Sequence, residues 1–323
     1  MKKLFSVVLV LAMVLALAAC GGSGASAGAS KMTMGTGGTS GTYYAFGGVL
    51  GQYIKDKAGI EVIVVSTDGS KANIESINSG DYQLGTVQSD VMAYAWEGTR
   101  SFADSGKIDT FRVVGGLYAE SVQLVTMDPE IKSVADLKGK SVSIGAPNSG
   151  VWFNAMDVLT AAGLTEADIK PQYQSFADSA DALKDGKIDA AFIVAGAPTA
   201  AITELCTTNS AYLVPIDGEV ADKLMADSPY YTTYTIPAGT YAGQDEDVVT
   251  VTIKATLIVS ADASEDDVYN LTKAIFDNTE AIAAENGKGA ELSVENATSG
   301  MTAPFHAGAA KYFAEKGVTV ETE

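Results

Sequence analysis

A chain of 323 residues with 40 acidic and 21 basic side chains carries a net charge of −19. Such a surface repels nucleic acid and anionic lipid headgroups, so neither is an expected partner. The length exceeds what one hydrophobic core usually holds, so two lobes are expected. Cys20 and Cys206 are the only cysteines. With Cys20 assigned to a lipid, as argued next, no intramolecular disulfide is expected.

Lys2 and Lys3, the apolar run Leu4–Ala19 and the small-residue exit Leu17-Ala18-Ala19 before Cys20 read as a bacterial export signal with a lipobox. The run falls short of the ~20 residues a spanning helix needs. Residues 1–19 are therefore read as a lipoprotein signal peptide and Cys20 as the lipidation site. Residues 20–30 are read as a flexible tether, because GGSGASAGAS has no bulky side chain to pack. The globular part is expected from Lys31, outside the cytoplasmic membrane and attached to it only by lipid. Whether that means a periplasm or a cell surface depends on the host.

From Lys31, short β-branched runs alternate with amphipathic stretches, the pattern of α/β layers with largely parallel strands. Strands are expected at Met32–Gly35, Glu61–Ser66 and Gln83–Val87, and helices at Tyr44–Lys57 and Asn73–Ser79. After a polar stretch, Glu97–Thr110, two apolar runs, Phe111–Tyr118 and Val122–Met127, meet at Ala119, Glu120 and Ser121. The alternation then resumes: strand Ser141–Ile144, helix Trp152–Ala161, strand Gln172–Ser175, helix Ala177–Lys184 and strand Ala190–Val194. Helix Ala200–Leu205 and strand Ala211–Pro215 follow. Two extended runs, Tyr231–Pro237 and Val248–Val259, lead to helices at Asp266–Ala284 and His306–Lys316. Two lobes crossed by two extended connections make a hinged clamp, with hinges expected at Tyr118–Ser121 and Ile253–Leu257.

Two glycine-rich loops carry the chemistry. Gly35–Thr42 (GTGGTSGT) joins a strand to a helix, where glycines let a ligand approach the backbone and helix N–H groups favour an anion. Thr39, Ser40 and Thr42 add hydroxyls. The alternatives are a plain turn or a dinucleotide loop, but Gly35, Gly37 and Ser40 give G-x-G-x-x-S rather than G-x-G-x-x-G. The second loop, Gly145–Gly150 (GAPNSG), places Ser149 as helix cap or ligand donor and Trp152 as an apolar wall. Arg100 and Arg112 are the only arginines, so a carboxylate would have to be held by backbone N–H groups, hydroxyls and helix N-termini.

Catalytic and metal-binding patterns are thin. The single histidine, His306, reads as helix-end packing, Cys206 as core, and Asp245-Glu246-Asp247 as a solvated turn rather than a calcium loop. No catalytic residue, metal or cofactor is expected.

Five strings resemble the TAXI family, the solute receptors of tripartite ATP-independent periplasmic (TRAP) transporters. They are TGGTSGTYY (36–44), VQSDV (87–91), LYAE (117–120), FIVAGAPTAAI (192–202) and TIPAGTYAGQDEDV (235–248). The resemblance runs from about Met32 to about Phe313. It implies a type II periplasmic-binding-protein fold with a ligand cleft between two lobes joined by hinge strands. The lobes are expected at residues 31–118 plus 258–323 and at residues 119–257. It also implies delivery of a small organic anion or amino acid, glutamate- or glutamine-like or more apolar, to a membrane permease. Carried over by position, the implied ligand contacts are Thr39, Ser40, Gly41, Tyr43, Gln88, Ser89, Ser149 and Gly150, with Ala195 and Gly196 facing them. Where the family usually reads GAPGSGT and then an acid, this chain has Asn148, Val151 and Trp152, which implies a more apolar pocket lined by Trp152. A receptor serving a membrane sensor kinase and a tethered hydrolase are the competing expectations.

Overall fold

The computed structural model describes residues 30–323. The signal peptide, Cys20 and all of the tether but Ser30 lie outside the described residues. In chain order the elements begin with β1 (Lys31–Gly35), α1 (Thr42–Ala58), β2 (Glu61–Val65), α2 (Ser70–Asn78), β3 (Leu84–Gln88) and α3 (Ser89–Glu97). Next come β4 (Phe111–Thr126), β5 (Ser141–Ser143), α4 (Val151–Ala161), β6 (Lys170–Gln172), α5 (Phe176–Lys184) and β7 (Ala190–Ala195). Then follow α6 (Ala200–Thr208), β8 (Tyr212–Val214), α7 (Gly218–Asp227), β9 (Thr232–Ile236) and β10 (Val248–Ser260). Four helices end the chain: α8 (Glu265–Phe276), α9 (Thr279–Glu285), α10 (Val294–Thr298) and α11 (Ala307–Glu315). Among the described residues no helix is long and apolar enough to cross a membrane.

The strands form one sheet in the order β2-β1-β3-β10-β4-β7-β5-β6, with β8 on β4 and β9 on β10. The flanking sets β2-β1-β3 and β7-β5-β6 pair in parallel, whereas β10 and β4 run antiparallel to their neighbours. Strands β3 and β7 are buried along their whole length, as strands covered on both faces are. Helix α1 buries Tyr43, Phe46, Leu50 and Ile54 at helical spacing and stops at Gly59, whose φ of 71° is a glycine conformation. Helix α8 starts under the side chain of Ser264, which accepts from Asp267 N–H, and carries three acids in its first turn, where the helix dipole favours them.

Buried apolar side chains gather in three clusters. The largest draws on residues 32–118 and 255–313 together with Phe153. The other two draw on residues 122–253. Between them β4 carries the buried polar pair Glu120 and Ser121. The two expected hinge segments lie side by side: Thr252 pairs with Ser121, Ile253 with Glu120 and Lys254 with Ala119, and the register slips after Lys254 and after Leu257.

The structure departs from the sequence expectations in several places. The two apolar runs around Ala119–Ser121 are one continuous 16-residue strand. Helix α3 was not expected, because Ser89 to Ala95 are all buried and show no polar face. Helix α7, which buries only Ala221 and Leu224, was also not expected. The single helix expected over Asp266–Ala284 breaks at Asp277 and Asn278, where Asn278 Nδ2 donates to the carbonyl of Ala274. The strand expected at Gln172–Ser175 lies earlier, at Lys170–Gln172. His306 caps α11, its Nδ1 accepting from Gly308 N–H.

Candidate functional site

Loops from the carboxyl ends of β1, β2, β5 and β6 meet the end of β7 at one cleft with about 600 Å³ of space free of protein atoms, including its mouth. Ligand sites of α/β sheets lie at such strand ends. Helix α5 begins there at Ser175, whose hydroxyl caps it by accepting from Asp178 N–H, while α1, α2 and α4 begin there at Gly41, Gly69 and Gly150 with no side-chain cap. Their first residues, Thr42, Ser70 and Val151, line the cleft. Uncapped N-terminal N–H groups carry partial positive charge, so the cleft can hold an anion without arginine.

Glycine is required at two of these starts. Gly69 has a φ of 111°, which L side chains rarely adopt. A Cβ on Gly150 would overlap the Gln88 amide oxygen and stand 3.0 Å from Ser70 Oγ. The loop after β1 is fixed from beneath by Asn73, fully buried, which donates to the carbonyls of Thr36 (2.7 Å) and Thr86 (2.8 Å) and accepts from Thr67. Val151, Phe176 and Val194 give the cleft an apolar side.

An acid lines the same cleft. Glu120, 2% exposed, accepts a 2.6 Å hydrogen bond from the Tyr43 hydroxyl. Burial pushes its carboxyl up to about 8, against the opposing pull of the Tyr43 hydrogen bond. Burial first, and then Glu120, raise the Tyr43 hydroxyl as well.

A buried polar network adjoins the cleft. Gln88 Nε2 donates to Asn154 Oδ1 (2.9 Å), while Asn154 Nδ2 donates to Asp90 (2.9 Å) and to the Tyr231 hydroxyl (2.7 Å). Tyr231 in turn donates to Asp157, which pairs with Arg100. Because Asn154 is oriented by two partners on its Nδ2, Gln88 turns its Oε1 toward Gly150, where it is buried without a protein partner. Burial lifts the Asp90 carboxyl to about 7.

The loops on the two sides of the cleft are in contact. Thr42 Oγ1 donates to the Gly196 carbonyl (2.9 Å), Ala201 N–H to the Ser40 carbonyl (3.2 Å) and Ala72 N–H to the Asn148 carbonyl (3.3 Å).

Of the residues named from sequence, Gly41, Tyr43, Gln88, Ser149, Gly150 and Ala195 are brought together on the cleft, and the Ser149 hydroxyl there has no partner. Thr39 is exposed, and Thr39, Ser40, Ser89 and Gly196 do not line it. The Ser89 hydroxyl instead accepts from Lys254 N–H. Trp152 does not line the cleft but an adjoining depression with Lys71, Ser101 and Tyr173, which shares Ala146 and Ser149 with it, and packs edge-on to Phe153 at 5.2 Å. As the second residue of α4 it faces away from Val151, so Val151 and Phe176 supply the apolar wall. Sequence reasoning missed Glu120, Ser70, Gly69, Gln174 and Phe176. Only Glu120 left a signal, as a lone acid between two apolar runs.

The profile of the NMT1-like family matches residues 34–317. The chain belongs to that family. Among solved structures, the alkanesulfonate-binding protein SsuA from Xanthomonas axonopodis pv. citri bound to MOPS is similar, with a TM-score of 0.50 and 18% identity over 89% of this chain and 91% of that one. A putative L-cystine ABC transporter protein from Listeria monocytogenes is similar at a TM-score of 0.51 and 16% identity, over 82% of this NMT1-like chain and 98% of the other. The fold is the type II periplasmic-binding-protein fold.

Proposed function

We propose that this chain is the extracytoplasmic solute receptor of a TRAP transporter, of the TAXI kind. It captures a small organic anion or amino acid in the cleft and delivers it to a membrane permease. The observation that carries the reading is convergence. Strings that resemble the TAXI family at residues 36–44, 87–91, 117–120 and 192–202 lie far apart in sequence yet all contribute to the lining of one cleft, through Gly41, Gln88, Glu120 and Ala195. The cleft's uncapped helix starts suit a carboxylate, and its wall of Val151, Phe176 and Val194 suits an apolar portion beside it.

In this reading residues 31–118 plus 258–323 and residues 119–257 are two lobes that close on the ligand, hinged at the irregular β4–β10 pairing, and Cys20 carries the lipid. Hydrolysis is disfavoured, because the one histidine of the chain caps α11 and does not line the cleft with Ser70 or Ser149. Uptake of a labelled solute by the native host, with and without this chain, tests the proposal. Loss of uptake on collapsing the ion gradient, with ATP maintained, is expected. Uptake that follows ATP and ignores the gradient would replace TRAP by ABC coupling, and uptake independent of the chain would refute the receptor reading.

A further inference from the structure

One face of α4 makes a second set of contacts besides those of the cleft. Gly150, Phe153, Asn154 and Asp157 stand at spacing i, i+3, i+4 and i+7, so they share a face. Each meets the stretch from Gln88 to Arg100. Gly150 packs on the Gln88 amide, Phe153 on Tyr94 with ring centroids 5.5 Å apart, and Asn154 is bonded to Gln88 and Asp90. Arg100 donates to Asp157 Oδ1 at 2.5 Å. The seam is thus polar at Gln88–Asn154, Asp90–Asn154 and Arg100–Asp157, where a permanent core would be apolar. Polar partners exchange for water at little net cost, so such a seam can open and shut.

The outer end of the seam is built around Arg100. Helix α3 stops at Gly98, and Arg100 has a φ of 54°, a left-handed torsion that is rare outside glycine and persists only where its surroundings fix it. There the guanidinium lies over the rings of Tyr94 (4.9 Å to the centroid) and Phe153 (5.8 Å) and reaches Asp157, which also accepts from the Tyr231 hydroxyl at 3.0 Å. A guanidinium can stack on a ring while donating in its own plane, which an ammonium cannot do. The Arg100 side chain is 38% exposed and that of Asp157 14%, so an isolated pair there would be weak; the stacking and the second bond to Asp157 order it. The pair lies in a depression with Glu97, Asp227 and Tyr230 that shares no residue with the ligand cleft.

We propose that Arg100 and Asp157 form a clasp that holds the two lobes, residues 31–118 plus 258–323 and residues 119–257, shut on the ligand from outside the cleft. The inference rests on the receptor reading. Arg100 is a positioning residue: through Asp157 it keeps α4 against α3, and with α4 its N-terminus, Gly150 and Val151, at the cleft. The clasp exists only in the shut form, so releasing it moves the population toward the open one and speeds ligand escape.

The test measures distances between nitroxides by pulsed electron resonance, at Lys57→Cys on α1 and Asp222→Cys on α7, both exposed, in a Cys206→Ala chain from Gly21. The protein is unfolded and refolded to strip carried-over ligand, then measured with and without a panel of L-glutamate, L-glutamine, L-leucine and 2-oxoglutarate, mixed at millimolar concentration. The parent is expected to populate a shut and an open distance. Arg100→Gln is expected to cut the shut-to-open ratio by about tenfold, with Arg100→Lys in between. Salt at about 1 M, which screens beyond about 3 Å, is expected to open the parent and to leave Arg100→Gln unmoved. Asp157→Asn, which keeps an oxygen for Tyr231, is expected to match Arg100→Gln and to add nothing on top of it. Lys138→Gln, which breaks the exposed Lys138–Asp168 pair within residues 119–257, is the control and is expected to leave the distances unchanged. Thermal midpoints near the parent's would show that the variants are folded. A pair that only braces the fold would lower the midpoint and leave the distances alone. A shift caused by Arg100→Gln while the panel is silent supports the clasp and removes these acids as ligands. If the panel moves the distances equally in the parent and in Arg100→Gln, the clasp falls and the receptor reading stands. If neither panel, salt nor substitution moves them, both fall.

Discussion

Replacing Gly150 by alanine adds one methyl group where the two sides of the cleft meet. Gly150 has ordinary helical torsions, φ −71° and ψ −23°, so alanine brings no backbone strain, and its lower unfolded-state entropy favours folding by roughly 0.4–1 kcal/mol. The methyl carbon would overlap the Gln88 amide. Gln88 cannot yield freely, because its Nε2 is bonded to fully buried Asn154 at 2.9 Å. Moving the amide orphans Asn154 Oδ1, at about 1–3 kcal/mol, and the crowding adds about 1–3 kcal/mol. The net cost is about 3 kcal/mol, equivalent to about a hundredfold in affinity. In the proposed two-lobe reading residues 88 and 150 belong to different lobes, so the cost would fall on closure and thus on ligand binding. Calorimetry with the tightest acid from the panel measures it. Gly48→Ala, on the exposed face of α1 with open space around it, is the control and is expected to bind like the parent with stability unchanged or slightly raised. Binding by Gly150→Ala within threefold of the parent would refute the reasoning.

Other expectations follow from the same geometry. Asn154→Ala leaves the Gln88 amide without a partner, takes one hydrogen bond each from Asp90 and Tyr231 and opens a space in the interior, and is expected to destabilise by about 3 kcal/mol in urea unfolding. Glu120 and Asp90 titrate at about 8 and about 7 when folded, against ordinary values of 4.5 and 3.8. The folded state therefore binds more protons across that interval, so their contribution is full below about pH 4 and is lost as pH rises through about 7 to 8. Urea midpoints of the ligand-free protein are expected to fall from about pH 5 to about pH 8.5, and Glu120→Gln with Asp90→Asn is expected to flatten the trend. Trp152→Ala, outside the cleft, is expected to leave affinity unchanged while lowering the thermal midpoint through lost packing on Phe153. Thr42→Val removes the bond to the Gly196 carbonyl and is expected to weaken ligand binding severalfold without unfolding the chain.

The fold was legible where polarity alternates. β1, β2 and α1 stand within two residues of their expected bounds, because one face of α1 is buried and the other is wet. It was illegible where burial is complete on every side: α3 offers no periodic contrast, and the strand through Glu120 looked broken because a buried acid reads as a surface residue. The loop glycines pointed to the cleft through local physics, the need for close backbone approach at Gly41 and Gly150. Trp152 stands off the cleft for an equally local reason. Its neighbour Val151 takes the cleft-facing direction, and a helix turns about 100° per residue. Gln88 and Asn154 meet across 66 residues of chain and Tyr43 and Glu120 across 77, juxtapositions that no spacing rule encodes.

The most direct test of the receptor claim is thermal unfolding of the soluble form, starting at Gly21, against amino acids, dicarboxylates and keto acids. A ligand at 100 times its dissociation constant adds about 2.7 kcal/mol, several degrees for a chain of this size. The account predicts such a shift for at least one small acid in the parent and its loss in Gly150→Ala. A panel that leaves the refolded, ligand-stripped protein unmoved, or a shift that survives intact in Gly150→Ala, would contradict it.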